Sequence, residues 1–197
     1  MSFDFAFAVA GDVIERDYPA QLYRALVTLL PWLEDEPLAG VHPMRGLTPC
    51  PSGLLVGGRT SIVLRVPDHR ATACAALQGA DLKLPAPLHV GQARRRELLP
   101  YPVLHSKLVI TGAEDETEFL QNVHAGLEAL GIDCTTIVGR RGQLKIDDRQ
   151  TLVGYSLMLH GLSEAHSLLA QEHGIGLQRK LGCGLFVPHK SVAAVGA

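Results

Sequence analysis

Phe3, Phe5, Phe7 and Val9 fall on every second position, which predicts a half-buried strand over residues 3–9. Asp17 precedes Tyr18-Pro19, and Leu22, Ala25, Leu26, Leu29 and Leu30 follow at helical spacing, so a helix starts there. Residues 34–52 are rich in proline and acidic groups and read as irregular. Leu54–Val56 and Ser61–Val66 flank Gly57-Gly58, which predicts a hairpin. Asp68 can cap a short helix to Leu77, stopped by Gly79, and residues 87–93 supply a further strand.

The second half repeats the order. Pro102–Thr111 reads as a strand, and Asp115 can cap a helix from Glu116 to Leu130 that ends at Gly131. Thr135–Val138 and Leu152–Leu159 read as strands around a basic loop. Ser163 opens a last helix to His173, and Leu185-Phe186-Val187 closes the chain's pattern. Each half is β-α-β-β-α-β, so the expected fold class is α+β, two tandem ferredoxin-like (RRM-like) domains over residues 1–98 and 101–197. In each, both helices cover one sheet face, and RNA-binding modules of this topology use the other.

The formal net charge of −2 argues against a protein that coats nucleic acid non-specifically, so a nucleic-acid site has to be a local basic patch. Cys50, Cys74, Cys134 and Cys183 form no C-x-x-C pair, which argues against a zinc ribbon or redox motif. The N-terminus lacks the basic start and apolar run of a signal peptide, and no stretch approaches the ~20 apolar residues of a membrane span. A reduced, cytoplasmic protein is expected.

The densest chemical signal is Gly174-Ile175-Gly176-Leu177-Gln178-Arg179-Lys180-Leu181-Gly182-Cys183-Gly184. Four glycines let the backbone approach a partner closely, exposed amides can hold an anion, and Arg179 and Lys180 add positive charge. No Lys-Ser or Lys-Thr follows these glycines, which removes a nucleotide P-loop. The position of a third dinucleotide-fingerprint glycine is Arg179. The remaining readings are an RNA phosphate grip and a plain glycine-rich turn.

A G-h-G-x5-G-h-G loop before the last strand of a doubled ferredoxin-like chain resembles the RAMP superfamily of CRISPR-associated proteins. Within it, the chain looks like the endoribonucleases that cut precursor CRISPR RNA, in the branch attached to the myxobacterial-type variant of type I systems. The resemblance implies metal-independent cleavage with no cofactor. The ribose 2′-OH attacks the adjacent phosphate and leaves a 2′,3′-cyclic phosphate and a 5′-OH. CRISPR repeat RNA is the implied partner, with other CRISPR effector subunits as further ones and no membrane. Such chemistry needs a base, an acid and a cation.

Of nine histidines, His42 in Gly40-Val41-His42-Pro43-Met44-Arg45-Gly46 is the candidate catalytic residue, because several members of the family it resembles carry their catalytic histidine in this region, after the first helix. Arg45 and Tyr23 are the candidate partners. His160, His166 and His173 lack a carboxylate or cysteine at ligand spacing, so no metal site is expected. RNA contacts are expected from Gly174, Gly176, Arg179, Lys180, Gly182, Gly184 and Lys190. Further contacts are expected from Arg140 and Arg141 at a hairpin tip, and from Arg94 and Arg95 in the run Arg94–Arg96. Two alternatives remain: a non-catalytic RNA-binding subunit of the same superfamily, and a small-molecule-sensing or structural ferredoxin-like pair.

Overall fold

A computed structural model describes residues 1–113 and 115–189. The chain divides into two compact units. The first comprises Met1–Glu97, Lys145–Asp148 and Lys180–Gly182; the second comprises Leu98–Leu144, Arg149–Arg179 and the residues from Cys183 onward.

The first unit contains β1 (Ser2–Ala10), β2 (Val13–Ile14), α1 (Tyr18–Leu29), α2 (Trp32–Asp35), β3 (Gly40–Val41), β4 (Arg45–Cys50), β5 (Gly53–Pro67), α3 (Ala71–Ala75), β6 (Asp81–Leu82) and β7 (Leu88–Glu97). The main sheet runs β4-β5-β1-β7, all antiparallel. With β1, β4, β5 and β7 as the four ferredoxin strands this is the order 2-3-1-4. Phe3, Phe5, Phe7 and Val9 form the core with Leu22 and Leu26 of α1, as their two periodicities dictate.

The second unit contains β8 (Val103–Val109), α4 (Glu116–Ala129), β9 (Thr135–Lys145), β10 (Thr151–His160), α5 (Glu164–His173) and β11 (Val187–Pro188). Its sheet runs β11-β8-β10-β9, the same order read from the other edge. Phe119, Val123 and Leu127 of α4 pack on Tyr155, Leu157 and Leu159 of β10. The predicted caps form at both helices: Asp115 accepts from the Glu118 amide at 2.9 Å and Ser163 from the His166 amide at 3.2 Å. At α1, by contrast, Asp17 makes no side-chain cap.

Three expectations change. Residues 34–52 are not irregular, since they hold the end of α2 and all of β3 and β4. Gly57-Gly58 is not a hairpin tip, because β5 runs straight through it. The register with β4 jumps from Arg45↔Ser61 to Leu47↔Val56, so the glycines sit in a bulge that the Thr60 hydroxyl closes by donating to the Gly46 carbonyl at 3.1 Å. The hairpin turns instead at Pro51-Ser52, between β4 and β5. Arg140 and Arg141 are likewise not at a tip. They lie within β9, and the Arg140 amide donates to Ser156 Oγ on β10 at 3.0 Å.

Candidate functional site

Several amides of the glycine loop are bonded within the loop or to residues beside it. The Gly174 amide donates to Ala170, Ile175 to Gly184, Leu177 to Ile110, Cys183 to Gln178 and Gly184 to Leu108. The two Gly-x-Gly arms lie so close that a Cβ on Gly184 would strike the Ile175 carbonyl, and one on Gly176 the Ile110 carbonyl. Gly174, Gly176, Gly182 and Gly184 all have φ between 65° and 94°, where only glycine is unstrained. These glycines are needed for the loop's own packing.

Its two cations also bond to backbone carbonyls. Arg179 Nη2 donates to the Glu172 carbonyl at 2.6 Å, in the last turn of α5, where a helix leaves carbonyls without amide partners. Lys180 Nζ donates to the carbonyl of Glu34 in α2. Burial lowers the Lys180 pKa, against the pull of Asp35, Glu34 and Glu36. Beside it, a side chain on Gly182 would meet the Pro43 ring at 3.1 Å, so the loop apex packs against the residue that follows His42. Lys190 lies outside the described residues.

His42 lies just past β3, in the segment that leads into β4. It is 3% exposed, and its amide donates to the Val63 carbonyl at 2.9 Å, continuing the β3–β5 pairing. Its Nε2 lies 3.5 Å from Asp4 Oδ1, at the long limit of a hydrogen bond and within ion-pair reach. Burial, with Arg65 and Arg45 adding to it against the opposing pull of Asp4, lowers the His42 pKa to about 4. The ring is therefore neutral near pH 7. Burial alone would raise the Asp4 carboxyl, but His42 and a forked contact from Arg65 (2.8 and 2.9 Å) hold it well below the usual range. Asp4 and Arg65, across from each other in the β1–β5 register, are partners the sequence reading missed. Charged residues inside the apolar alternation of two central strands were the available signal.

Arg45 is exposed and acts on His42 electrostatically. Tyr23 belongs to a different environment: burial raises its pKa, and Glu34 and Asp35 add to that. The segment around His42 is instead held by Tyr18, whose hydroxyl accepts from the buried Met44 amide at 2.8 Å.

The arginine run divides by strand alternation. Arg94 pairs with Ala6 and Arg96 with Asp4, so both share the sheet face of Asp4, Arg65 and His42, and both are exposed. Arg95 pairs with Phe5 on the opposite face. Its guanidinium lies 3.6 Å from the centre of the Phe3 ring and donates to Asp68 at 3.0 Å. Arg96, rather than Arg95, accompanies Arg94, and period two was the signal that separates them. A cavity of about 540 Å³ beside α1, lined by Gln21, Arg24, Thr28 and Lys83 among others, contains none of the predicted residues. Among the described residues, no three His, Cys, Asp or Glu side chains are grouped to hold a metal ion, and no helix is long and apolar enough to cross a membrane.

The sequence profile of a family described as "Cas6 Crispr" matches residues 3–191. The chain is 37% identical over 194 residues to a CRISPR-associated endonuclease Cas6 of Myxococcus xanthus (strain DK1622), covering 98% of this chain and 84% of that one. Two solved structures share the fold at low identity. One, described as a Cas6-related gene product from Pyrococcus furiosus, has a TM-score of 0.69 at 15% identity, covering 96% of this chain and 99% of its own. The other, described as a RAMP protein binding different RNA substrates, has a TM-score of 0.68 at 15% identity, covering 93% and 98%.

Proposed function

From the premise that the chain belongs to the Cas6 family, we propose that it is an endoribonuclease that binds CRISPR repeat RNA and cuts precursor CRISPR RNA into guide units. The observation that carries this reading is the identity with the Myxococcus endonuclease along almost the whole chain.

The proposed chemistry is metal-independent transesterification. A base removes the proton of the ribose 2′-OH, the oxygen attacks the adjacent phosphorus, and the bond to the 5′-oxygen breaks. That oxygen takes a proton from an acid, leaving a 2′,3′-cyclic phosphate and a 5′-OH. His42 is neutral near pH 7, the state a base requires, and Arg45 supplies positive charge beside it. The ring is buried, so this reading requires the residues covering it to yield when RNA binds. Tyr23 keeps its proton at neutral pH and is the residue to test as the acid. Arg94 and Arg96 line the same open sheet face and would hold the RNA backbone there.

The burial of His42 also favours a second reading, a non-catalytic RNA-binding subunit that holds the repeat without cutting it. Incubation with repeat RNA in EDTA, followed by end-group analysis, decides between them. Cleavage to a cyclic phosphate that His42→Ala abolishes supports the enzyme. Tight binding with no cut selects the subunit, and wild-type rates in His42→Ala remove His42 from the mechanism.

A further inference from the structure

The open face of the second sheet carries a group of histidines that the RNA-cutting reading does not use. His105 lies on β8, directly across from Met158 on β10 and Val187 on β11. One pair further along, Val103 lies across from His160 and accepts a hydrogen bond from the His189 amide at 3.1 Å. Residues opposite each other in a sheet share a face, so His105, His160 and His189 stand together, with Lys107 two positions along β8. The His105 and His189 rings meet edge to face at 5.8 Å between centroids, inclined at 63°. His160, His189 and Lys107 are exposed, and His105 is half-buried.

Two imidazoles this close repel one another when both are protonated, and the Lys107 ammonium acts on His105 in the same sense. Burial lowers the His105 pKa, and His189 and Lys107 lower it further. None of the residues of β8, β9, β10 or β11 is aspartate or glutamate. An anion is the ligand that such a group favours. Imidazolium N–H groups and a lysine give charge-assisted hydrogen bonds to phosphate oxygens.

We propose that His105, His189 and Lys107 form a phosphate-binding subsite on the open face of the second sheet, occupied by a backbone phosphate of the bound RNA. The RNA source rests on the reading in the preceding subsection; the anion site itself does not. A bound phosphate adds negative charge beside both rings, so it draws protons onto them, and affinity rises as pH falls.

The test uses the full chain with isotope-labelled histidine. The His105 and His189 ring signals are assigned with His105→Asn and His189→Asn and followed by NMR against pH. The titrations are run without ligand, with inorganic phosphate, and with repeat RNA carrying a 2′-deoxy sugar at the cut position. The expected result is an upward shift of both ring titrations with either ligand. In the His105→Asn/His189→Asn variant, RNA binding at pH 6.5 weakens about 5- to 10-fold, and the log Kd against log salt slope falls by about 1. RNA bound with both rings unmoved overturns the subsite while leaving RNA binding intact. Rings that move with inorganic phosphate while wild-type protein binds no repeat RNA uphold the anion site and overturn the RNA reading. Rings unmoved by either ligand overturn the subsite outright.

Discussion

Arg179 reaches back to the Glu172 carbonyl at 2.6 Å and so ties the glycine loop to the end of the helix before it. A guanidinium committed to a helix C-terminus acts on folding. Arg179→Ala is expected to lose a charge-assisted hydrogen bond worth about 2 kcal/mol, a fall in Tm of about 4–8 °C for a chain of this size. The salt dependence of RNA binding should stay as in the wild type. A flatter salt slope with unchanged Tm would return Arg179 to the RNA.

The glycines separate by what surrounds them. Gly176 has φ +84° and no room for a Cβ beside the Ile110 carbonyl, whereas Gly161 has φ +76° and nothing within 4 Å. Gly161→Ala should cost about 1 kcal/mol from backbone conformation alone. Gly176→Ala should cost at least about 2 kcal/mol, because the Leu177–Ile110 pairing has to shift as well. Urea unfolding midpoints of the two variants measure the difference.

His42 makes stability depend on pH in a stated window. Its folded pKa of about 4 lies below the unfolded value near 6.5, so between those pH values the unfolded chain binds a proton that the folded chain refuses. The stabilisation from the neutral ring is complete above pH 6.5 and falls as pH drops toward 4, by about 3 kcal/mol. Asp4, whose folded pKa is depressed, adds stability above the unfolded carboxylate range that is lost at still lower pH. Denaturant unfolding from pH 7 to pH 4.5 should show the steeper fall in the wild type than in His42→Gln. Parallel curves would mean that the ring protonates in the folded state.

The three consecutive arginines should behave differently. Arg94→Ala and Arg96→Ala are expected to weaken RNA binding and to reduce the salt slope by about 1 each, with little change in Tm. Arg95→Ala removes the contact with Phe3 and a surface ion pair, so it should lower stability by about 1 kcal/mol and leave the slope alone. Equal effects of all three on RNA would show that strand alternation does not decide their roles.

Tyr18→Phe keeps the packing at the start of α1 but leaves the buried Met44 amide without its acceptor. The expected loss is about 1–3 kcal/mol of stability. If His42 and Arg45 act on RNA, the cleavage rate at saturating RNA should fall as well, because Met44 lies between them. A rate unchanged under folding conditions would make Tyr18 purely structural.

Local periodicity was enough to read the doubled β-α-β-β-α-β order, the Asp115 and Ser163 caps and the glycine loop, because each depends on residues a few positions apart. The bulge at Gly57-Gly58 was not readable, since glycine permits a tip and a bulge alike and the pairing of β4 decided between them. The partners of the charged groups were also beyond the sequence. Asp4 on β1 meets Arg65 on β5 and His42 just past β3, and Lys180 reaches Glu34 across 146 positions. The sequence by itself determined which groups are charged, which backbone positions need glycine and which strand residues share a face. Only the tertiary structure decided which of those charges face water and which are buried against a carbonyl or a carboxylate, because burial and pairing are set by segments distant in the chain.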